Sequence, residues 1–257
     1  MRILLTNDDG ITSPGIVLLA KALRESGHRV FVLAPDTNRT AASHSISFIN
    51  SPCKITEIEK DTWSCSGTPA DCVIFALLGG IPELYVSDDP YSRGKAPDLI
   101  LSGINRGANM GTDIIFSGTA AAARQGSFAG IPSIALSLAA SDNDEWHWGP
   151  VIAFITEKLA QMRDYWRAGT FVNVNFPNSQ TGPGSLVPAF PSIRYYNDSI
   201  ETYSAPDGGL YCFGRPGNIE SRPQAGSDWD AVSKNNAAMS AVLSQPVDAV
   251  FLGEGKA

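Results

Sequence analysis

Apolar and polar positions along the first part of the chain alternate between strand and helix spacing. Residues 2–6 form a short apolar run, and residues 29–34 form a second one that ends at Pro35. Between these runs, apolar side chains recur at helical spacing from Ile16 to Leu23, after Ser13 as a candidate N-cap. A strand, a helix and a second strand of these lengths predict a parallel βαβ unit.

The same alternation continues to about residue 177, which predicts a layered α/β fold. Short strands or a hairpin are expected within residues 46–58 and 62–65. Further strands are expected at 98–101, 133–138 and 170–176, and helices at 69–78, 117–129 and 150–166. We therefore predict an alternating α/β core at 1–177. Residues 178–257 are expected to complete the same domain as an irregular, β-containing excursion and tail, with a hairpin near 209–213 and a last strand at 237–243.

Composition and charge limit the classes of partner. The chain has 257 residues, 43% of them hydrophobic and 18% charged, and its formal net charge is −7. Because no run of Lys and Arg offers a basic face, we do not expect a duplex nucleic-acid partner. An acidic protein can still bind phosphate through a metal ion and backbone N–H groups.

Location follows from similar observations. The chain begins without a signal-peptide apolar region, and no apolar stretch approaches the ~18 residues of a membrane span. No C-x-x-C pattern is present and histidine is scarce, so a zinc site of Cys and His is not expected. We expect a cytoplasmic protein without a membrane partner, carrying four reduced thiols: Cys53, Cys65, Cys72 and Cys212.

Polar clusters follow the predicted strands at the point where each strand ends. Ligands of open parallel sheets bind at the carboxyl ends of the strands, so these clusters are expected to converge on one edge. They contain carboxylate, amide, hydroxyl and glycine groups, in residues 7–10, 36–43, 102–107 and 117–119.

The adjacent pair Asp8 and Asp9 carries the strongest chemical signal. Two carboxylates at a strand end repel each other in a poorly solvated cleft, and a hard divalent cation with a preference for oxygen ligands removes that penalty. Thr40 and Asn105 are candidates for further oxygen ligands. The alternative is purely structural, with Asp8 capping the next helix and Asp9 lying in a turn.

Residues Ser117, Gly118 and Thr119 precede a helix of small residues and predict a phosphate cradle. A helix N-terminus offers unpaired N–H groups and positive potential, although an ordinary helix cap would give the same pattern. Asn38 and Ser43 lie in a polar loop after the second strand and are further phosphate-binding candidates, with a solvated loop as the alternative.

Four other side chains invite a functional interpretation that the sequence favours less. His44, next to the polar loop, is a possible general acid or base, but a structural or exposed histidine is the more common case. Asp71 is better explained as a first-turn helix acid than as a catalytic group. Trp146 and Trp148 are better explained by packing than as a stacking platform.

Several blocks in fixed order resemble the SurE family of survival-protein nucleotidases, over nearly the whole chain. The match consists of I-L-L-T-N-D-D-G at 3–10, A-P-D-T-N-R-T at 34–40, G-T-P-A-D-C-V at 67–73, S-G-I-N-R-G-A-N-M-G at 102–111, S-G-T-A-A-A-A at 117–123, N-V-N-F-P at 173–177 and, more weakly, S-D-W-D-A-V at 227–232. The resemblance implies a Rossmann-like, three-layer α/β/α sandwich with a protruding C-terminal β-hairpin, assembled as a homodimer or homotetramer.

The resemblance also implies metal-dependent hydrolysis of phosphate monoesters. The expected substrates are nucleoside 5′-monophosphates, with 3′-monophosphates and polyphosphate in some relatives. It places one divalent metal ion, Mg²⁺ or Mn²⁺ (or Ca²⁺ in crystals), on Asp8, Asp9, Thr40 and Asn105. The family usually has Ser where this chain has Thr40, and residues 178–226 fit the family pattern loosely.

The expected chemistry uses Asp8 and Asp9 as catalytic residues, one of which orients or deprotonates a water that attacks phosphorus. Asn38, Ser43, Asn105 and residues 117–119 would hold the phosphoryl oxygens. Direct attack by an aspartate is the alternative, although the D-D pair differs from the D-x-D of haloacid-type phosphatases. A non-catalytic nucleotide or phosphate sensor stays open as an alternative function. A dinucleotide-dependent oxidoreductase is disfavoured because G-x-G-x-x-G is missing after the first strand.

Overall fold

A nine-stranded sheet forms the centre of the computed structural model, which describes residues 1–79, 96–140 and 144–246. The described residues form the following strands, of which β9 to β12 lie outside the central sheet. They are β1 (Arg2–Thr6), β2 (Arg29–Pro35), β3 (Ile55–Glu59), β4 (Thr62–Cys65), β5 (Leu99–Arg106), β6 (Ser133–Ala139), β7 (Thr170–Pro177), β8 (Leu186–Pro188), β9 (Arg194–Tyr196), β10 (Ser199–Ser204), β11 (Leu210–Arg215), β12 (Ile219–Ser221) and β13 (Ala237–Leu243). The helices are α1 (Pro14–Glu25), α2 (Pro69–Leu78), α3 (Gly118–Phe128), α4 (Trp148–Tyr165) and α5 (Asp228–Ser233), with a 3₁₀ turn at Gly111–Ile115.

The strand order of the central sheet is β3-β4-β2-β1-β5-β6-β7-β13-β8. The six strands from β4 to β7 run parallel, while β3 pairs antiparallel with β4, and β13 pairs antiparallel with β7 but parallel with β8. The predicted βαβ unit is confirmed, since β1 and β2 are parallel and joined by α1. The chain goes first to one side of β1 and then to the other, so a topological switch point lies beside β1, where open α/β sheets bind ligands.

Helices cover both faces of this sheet, as the α/β/α prediction requires. Successive strand residues point to opposite faces. Ile3 and Leu5 pack with the apolar stripes of α1 and α4, whereas Leu4 packs on the other face with α2 and α3. The predicted Rossmann-like fold class is therefore confirmed.

Two helix starts follow directly from local sequence. Thr68 and Asp71 form a capping box at α2, in which each side chain accepts a hydrogen bond from the other residue's backbone N–H. The Ser117 hydroxyl caps α3 by accepting from the backbone of Ala120 at 3.0 Å. Ser13 precedes α1 as predicted but makes no side-chain cap, because its hydroxyl instead accepts a hydrogen bond from Asn7.

The strand predicted at 98–101 extends further than expected, into the polar residues that follow it. Strand β5 continues to Arg106, with a register shift against β6 between Ser102 and Asn105. Gly103 has φ +134°, and a Cβ there would lie 2.3 Å from the carbonyl oxygen of Leu136, so only glycine fits this close approach. The Gly103–Ile104 peptide is cis. Asn105 therefore lies on an irregular strand end rather than in a free loop.

The excursion contains more regular structure than the sequence indicated. Strands β10 and β11 form an exposed antiparallel hairpin that includes the predicted segment 209–213, and β9 pairs with β12. Helix α5 was not predicted, and β13 returns to the central sheet beside β7 as expected. At the other edge, the strands expected in 46–58 are confined to β3, because residues 46–53 form turns. No helix in the described residues is long and apolar enough to cross a membrane.

Candidate active site

The turn that follows β1 places two carboxylates at the switch point of the sheet. Asp8 is buried, with 4% of its surface exposed, and Asp9 is half-buried. The Thr119 hydroxyl donates to Oδ1 of Asp8 at 2.5 Å, and the Thr119 backbone N–H donates to Oδ2 at 3.2 Å. Helix α3 thus holds Asp8 through its first turn, which is a favourable place for an anion.

Burial raises the pKa of Asp8 to about 6, because the charged form loses its hydration. The two hydrogen bonds from Thr119 act in the opposite direction, and the neighbouring charge of Asp9 raises the pKa further. Two acidic groups in a poorly solvated turn are therefore costly to ionise together. A positive charge between them would remove that cost.

Neutral oxygen donors lie next to the carboxylates. Oδ2 of Asp9 accepts a hydrogen bond from the backbone of Arg106 at 3.0 Å, which ties the turn to the end of β5. The amide nitrogen of Asn105 donates to the carbonyl oxygen of Gly107 at 2.9 Å. The side-chain amide oxygen of Asn105 is not used in this bond and can accept another partner. Asn105 also lines the adjacent cavity.

Thr40 is positioned by Asn38. Both the hydroxyl and the backbone N–H of Thr40 donate to Oδ1 of Asn38, at 2.5 and 2.7 Å. A hydroxyl that donates its proton keeps its lone pairs for an electrophile. Thr40 can therefore serve as an oxygen ligand with its O–H directed away, and the Asn38 carbonyl supports it.

A cavity of about 420 Å³ opens beside this cluster. Four of the predicted site residues line it: Asp8, Thr40, Asn105 and Ser117. The other five, which do not line it, are Asp9, Asn38, Ser43, Gly118 and Thr119. The predicted residues therefore lie at one edge of the sheet, but only some of them line the cavity.

Three of the predicted residues that do not line the cavity contact neighbouring parts of the site. The Ser43 hydroxyl donates to the carbonyl oxygen of Ile115 at 2.7 Å, so it anchors the polar loop to the 3₁₀ turn. Gly118 packs directly against Asp8, since a Cβ there would lie 2.8 Å from that residue's Cβ. The hydroxyl and the backbone N–H of Thr119 both donate hydrogen bonds to Asp8. These three residues shape the site through other groups.

The donor set fits a hard divalent cation. In the described residues no three His, Cys, Asp or Glu side chains cluster as metal ligands, so a metal here would need neutral oxygens as well. Two carboxylates, the hydroxyl of Thr40 and the amide oxygen of Asn105 supply oxygen ligands only, which suits Mg²⁺ or Mn²⁺ rather than Zn²⁺. The raised pKa of Asp8 agrees with a buried carboxylate whose charged form a bound cation would stabilise.

Sequence reasoning missed much of the cavity wall. The additional lining residues are Ala41, Arg106, Asn109, Asp113, Phe116, Tyr196, Asp198, Pro216, Gly217 and Ile219. Asn109 lies in the S-G-I-N-R-G-A-N-M-G block and could have been considered with Asn105. The five residues from the excursion carried no local signal, because their place depends on how the chain returns to the core.

Asn109 is held by a buried amide network that explains the N-V-N-F-P block. Its backbone N–H donates to Asn175, its carbonyl accepts from Asn173 and Asn175, and its amide donates to Ser137, all at 2.8 to 3.0 Å. Buried amides bonded on this scale rigidify their surroundings. Strands β6 and β7 thus fix the segment that forms one side of the cavity.

The less favoured candidates lie elsewhere. His44 bonds Gln125 at 3.0 Å and stacks on Phe128 with ring centroids 5.7 Å apart, so it packs on α3 and does not line the cavity. Burial lowers the pKa of His44 below its ordinary value. Trp146 stacks on Trp148 at 5.3 Å, and the guanidinium of Arg106 lies 4.8 Å from the Trp146 ring.

A parallel sheet with paired carboxylates and a helix N-terminus at its switch point defines a Rossmann-like α/β protein with an acidic, oxygen-lined site. The chain belongs to the Survival protein SurE family, whose pattern matches residues 3–188. A protein of Xanthomonas campestris pv. campestris strain B100, named 5′-nucleotidase SurE, is 35% identical over 245 residues, which is 94% of this chain and 89% of that protein.

Two further comparisons agree. A protein of Stenotrophomonas maltophilia strain R551-3 with the same name is 35% identical over 247 residues, 94% of this chain and 89% of the relative. The crystal structure of the SurE protein from Aquifex aeolicus superposes with a TM-score of 0.79 at 30% identity, covering 100% of this chain and 98% of that one. The resemblance inferred from the ordered sequence blocks is therefore confirmed.

Proposed function

We propose that this protein is a divalent-metal-dependent 5′-nucleotidase that converts nucleoside 5′-monophosphates to nucleoside and phosphate. The observation that carries the proposal is the position of Asp8, which is buried beside Asp9 at the switch point and faces the cavity together with Thr40 and Asn105. The names of the relatives, 5′-nucleotidase SurE, support the substrate class.

Asp8, Asp9, Thr40 and Asn105 would hold one Mg²⁺ or Mn²⁺. When bound there, the metal would supply Lewis acidity to a phosphoryl oxygen and to a water molecule. Asp8 is held by Thr119 and is suited to a fixed ligand. Asp9 is more accessible and is suited to orient the attacking water or accept its proton.

The phosphoryl group would be received by Ser117 and Asn105, which line the cavity, with Asn38 and Ser43 supporting the loop around it. The backbone N–H of Thr119 donates to Asp8, and that of Ala120 donates to the Ser117 hydroxyl. Helix α3 would therefore act on the phosphate mainly through its dipole and Ser117.

The cavity is of a size that suits a nucleotide, since ligand sites commonly measure roughly 300–1,000 Å³. We extend the proposal to 3′-monophosphates and polyphosphate as secondary substrates, to a cytoplasmic location and to a homodimer or homotetramer. These extensions rest on the family resemblance.

The test is inorganic phosphate release from a panel of nucleoside monophosphates, with Mg²⁺, Mn²⁺ or EDTA, for the wild type, Asp8→Asn and Asp9→Asn. We expect turnover that requires metal and falls by about 10²-fold or more in both variants, because each removes a charged group next to the reacting phosphate.

The control is Asp207→Asn, which makes the same change at the exposed tip of the β10–β11 hairpin, where the carboxylate accepts one backbone N–H. It should keep the wild-type rate. Near-normal turnover in Asp8→Asn would contradict the assignment of the site. Tight nucleotide binding by a folded wild type without turnover in any metal would instead indicate the sensor function.

A further inference from the structure

The excursion closes one side of the cavity, and we call its contribution the excursion wall. It comes from the end of β9, the turn before β10 and the segment leading into β12, and it consists of Tyr196, Asp198, Pro216, Gly217 and Ile219. The same cavity is lined by the candidate metal ligands, so a substrate whose phosphate lies near Asp8 would direct its remaining part along this wall.

The Tyr196 part of the wall is tied to the core and is electrically balanced. The Tyr196 hydroxyl donates to Asp113 at 2.5 Å, and the guanidinium of Arg194 lies 3.1 Å from the other oxygen of that carboxylate. The Tyr196 ring meets Phe116 edge to face, with centroids 6.1 Å apart. The charge of Asp113 is thus compensated by Arg194, and the two aromatic rings offer an apolar surface beside it.

Asp198 differs from Asp113 in its bonding. In the parts of the chain that the structure describes, none of the ion pairs includes Asp198. Its Oδ1 accepts the backbone N–H of Gly217 at 3.0 Å. A Cβ on Gly217 would lie 1.8 Å from the carbonyl oxygen of Asn197, so the two chain segments approach as closely as glycine allows. The carboxylate of Asp198 is therefore held in place on the cavity wall.

We propose that Asp198 selects substrates by charge, because its carboxylate repels a second phosphate group carried by the substrate. The site would then favour nucleoside monophosphates, whose nucleoside part is uncharged, over nucleoside diphosphates and polyphosphate. This inference rests on the proposed nucleotidase function and adds the determinant of its substrate class.

The test compares the ratio of kcat/KM for adenosine 5′-monophosphate to kcat/KM for adenosine 5′-diphosphate in the wild type and Asp198→Asn. The amide keeps the oxygen that accepts from Gly217 but removes the charge. Coulomb repulsion at roughly 6 Å and intermediate screening predicts that the ratio falls on the order of fivefold to tenfold, through faster use of the diphosphate. The monophosphate should change by about twofold or less, and the shift should shrink in high salt.

The matched control is Asp207→Asn, whose carboxylate also accepts one glycine N–H at 3.0 Å but lies outside the cavity lining. It should leave the ratio unchanged. If the wild type hydrolyses the monophosphate and both variants keep the wild-type ratio, the selector role is wrong while the nucleotidase function stands.

Binding separates the two proposals if the wild type hydrolyses neither nucleotide, which would refute the nucleotidase function. The dissociation constants of both nucleotides would then be measured by calorimetry with Mg²⁺ present. Tighter binding of the diphosphate to Asp198→Asn than to the wild type would support charge selection in a binding protein. Equal binding would overturn it.

Discussion

Thr119 holds Asp8 with two hydrogen bonds, one from its hydroxyl to Oδ1 and one from its backbone N–H to Oδ2. The S-G-T start of α3 and the N-D-D-G turn after β1 are therefore joined into one structural unit by these hydrogen bonds. The helix start, which on sequence alone predicts a phosphate cradle, first serves to orient a buried carboxylate. This relationship is the basis of the first two predictions.

Thr119→Val keeps the shape of the side chain but removes the hydroxyl that donates to Asp8. A hydrogen bond to a charged group contributes about 1.5–3 kcal/mol, so we expect metal-dependent kcat/KM to fall by about 10- to 100-fold. Titration of phosphate release against Mg²⁺ should show a higher half-saturating concentration. Thr119→Ser retains the donor and should stay close to the wild type. Equal activity in the Val and Ser variants would contradict the orienting role.

Gly118→Ala should disturb Asp8 from a different direction. The new Cβ would lie 2.8 Å from the Asp8 Cβ and 3.2 Å from Pro69, so Asp8 must move. A displacement of about 1 Å in a reacting group can cost on the order of 10²-fold in rate. Gly149→Ala is the control, because nothing lies within 4 Å of its added Cβ. Circular dichroism should show both variants folded, and only Gly118→Ala should lose phosphate release.

Local sequence was enough wherever the site depends on neighbours in the chain. The Thr68 and Asp71 capping box, the Ser117 cap and the strand that delivers Asp8 all follow from short-range patterns. Because parallel strands end at one edge, the convergence of these groups with Asn105 could also be predicted.

The remainder depended on contacts between distant segments. The extension of β5 past Ser102 rests on the close approach of Gly103 to Leu136 on the next strand. The excursion wall depends on how residues 194–219 fold back over the 3₁₀ turn, with Tyr196 reaching Asp113 across 83 positions. No periodicity encodes such a contact, so that side of the cavity could not be found from the sequence.

His44→Gln should leave turnover near the wild-type rate, because His44 packs on α3 away from the cavity lining. It should, however, change the pH dependence of stability. Burial lowers the pKa of His44 in the folded state, so the unfolded chain binds its proton more readily. The stability contribution is therefore full above the unfolded pKa of about 6.5 and is lost as pH falls through it.

Chemical denaturation between pH 8 and pH 5 checks this prediction. The wild type should lose more stability than His44→Gln over that range. The comparison with the variant is needed because burial also lowers the pKa of His28. Parallel curves for the two proteins would show that His44 does not contribute, and a large loss of turnover in His44→Gln would restore it as a catalytic candidate.

Asp228→Asn should destabilise the fold around the cavity. The buried carboxylate of Asp228 accepts backbone N–H groups from Gly111, Ser192 and Trp229 at 2.8 to 2.9 Å. An amide places an NH₂ group against one of these donors, which costs about 1–3 kcal/mol. Thermal unfolding should shift down by several degrees, whereas Asp207→Asn at the exposed hairpin tip should not move. An unchanged Tm in Asp228→Asn would show that the bond between Asp228 and Gly111 does not stabilise the 3₁₀ turn.

Substitutions at Thr40 can separate the contribution of its hydroxyl from that of its shape. Thr40→Ser keeps the hydroxyl that is bonded to Asn38 and should keep metal affinity near the wild type. Thr40→Val keeps the shape but removes the oxygen ligand, so the half-saturating Mg²⁺ concentration should rise by about tenfold or more, as for the loss of one hydrogen-bonding oxygen at a charged site. Asn38→Ala removes the carbonyl that accepts from Thr40 but keeps the Thr40 hydroxyl, so its metal affinity should fall between these two.

The order of metal affinity among the three variants is measured by phosphate release in metal-buffered solutions. If Thr40→Val binds metal as well as Thr40→Ser, the hydroxyl is not a ligand, and the metal is held by the two carboxylates and Asn105.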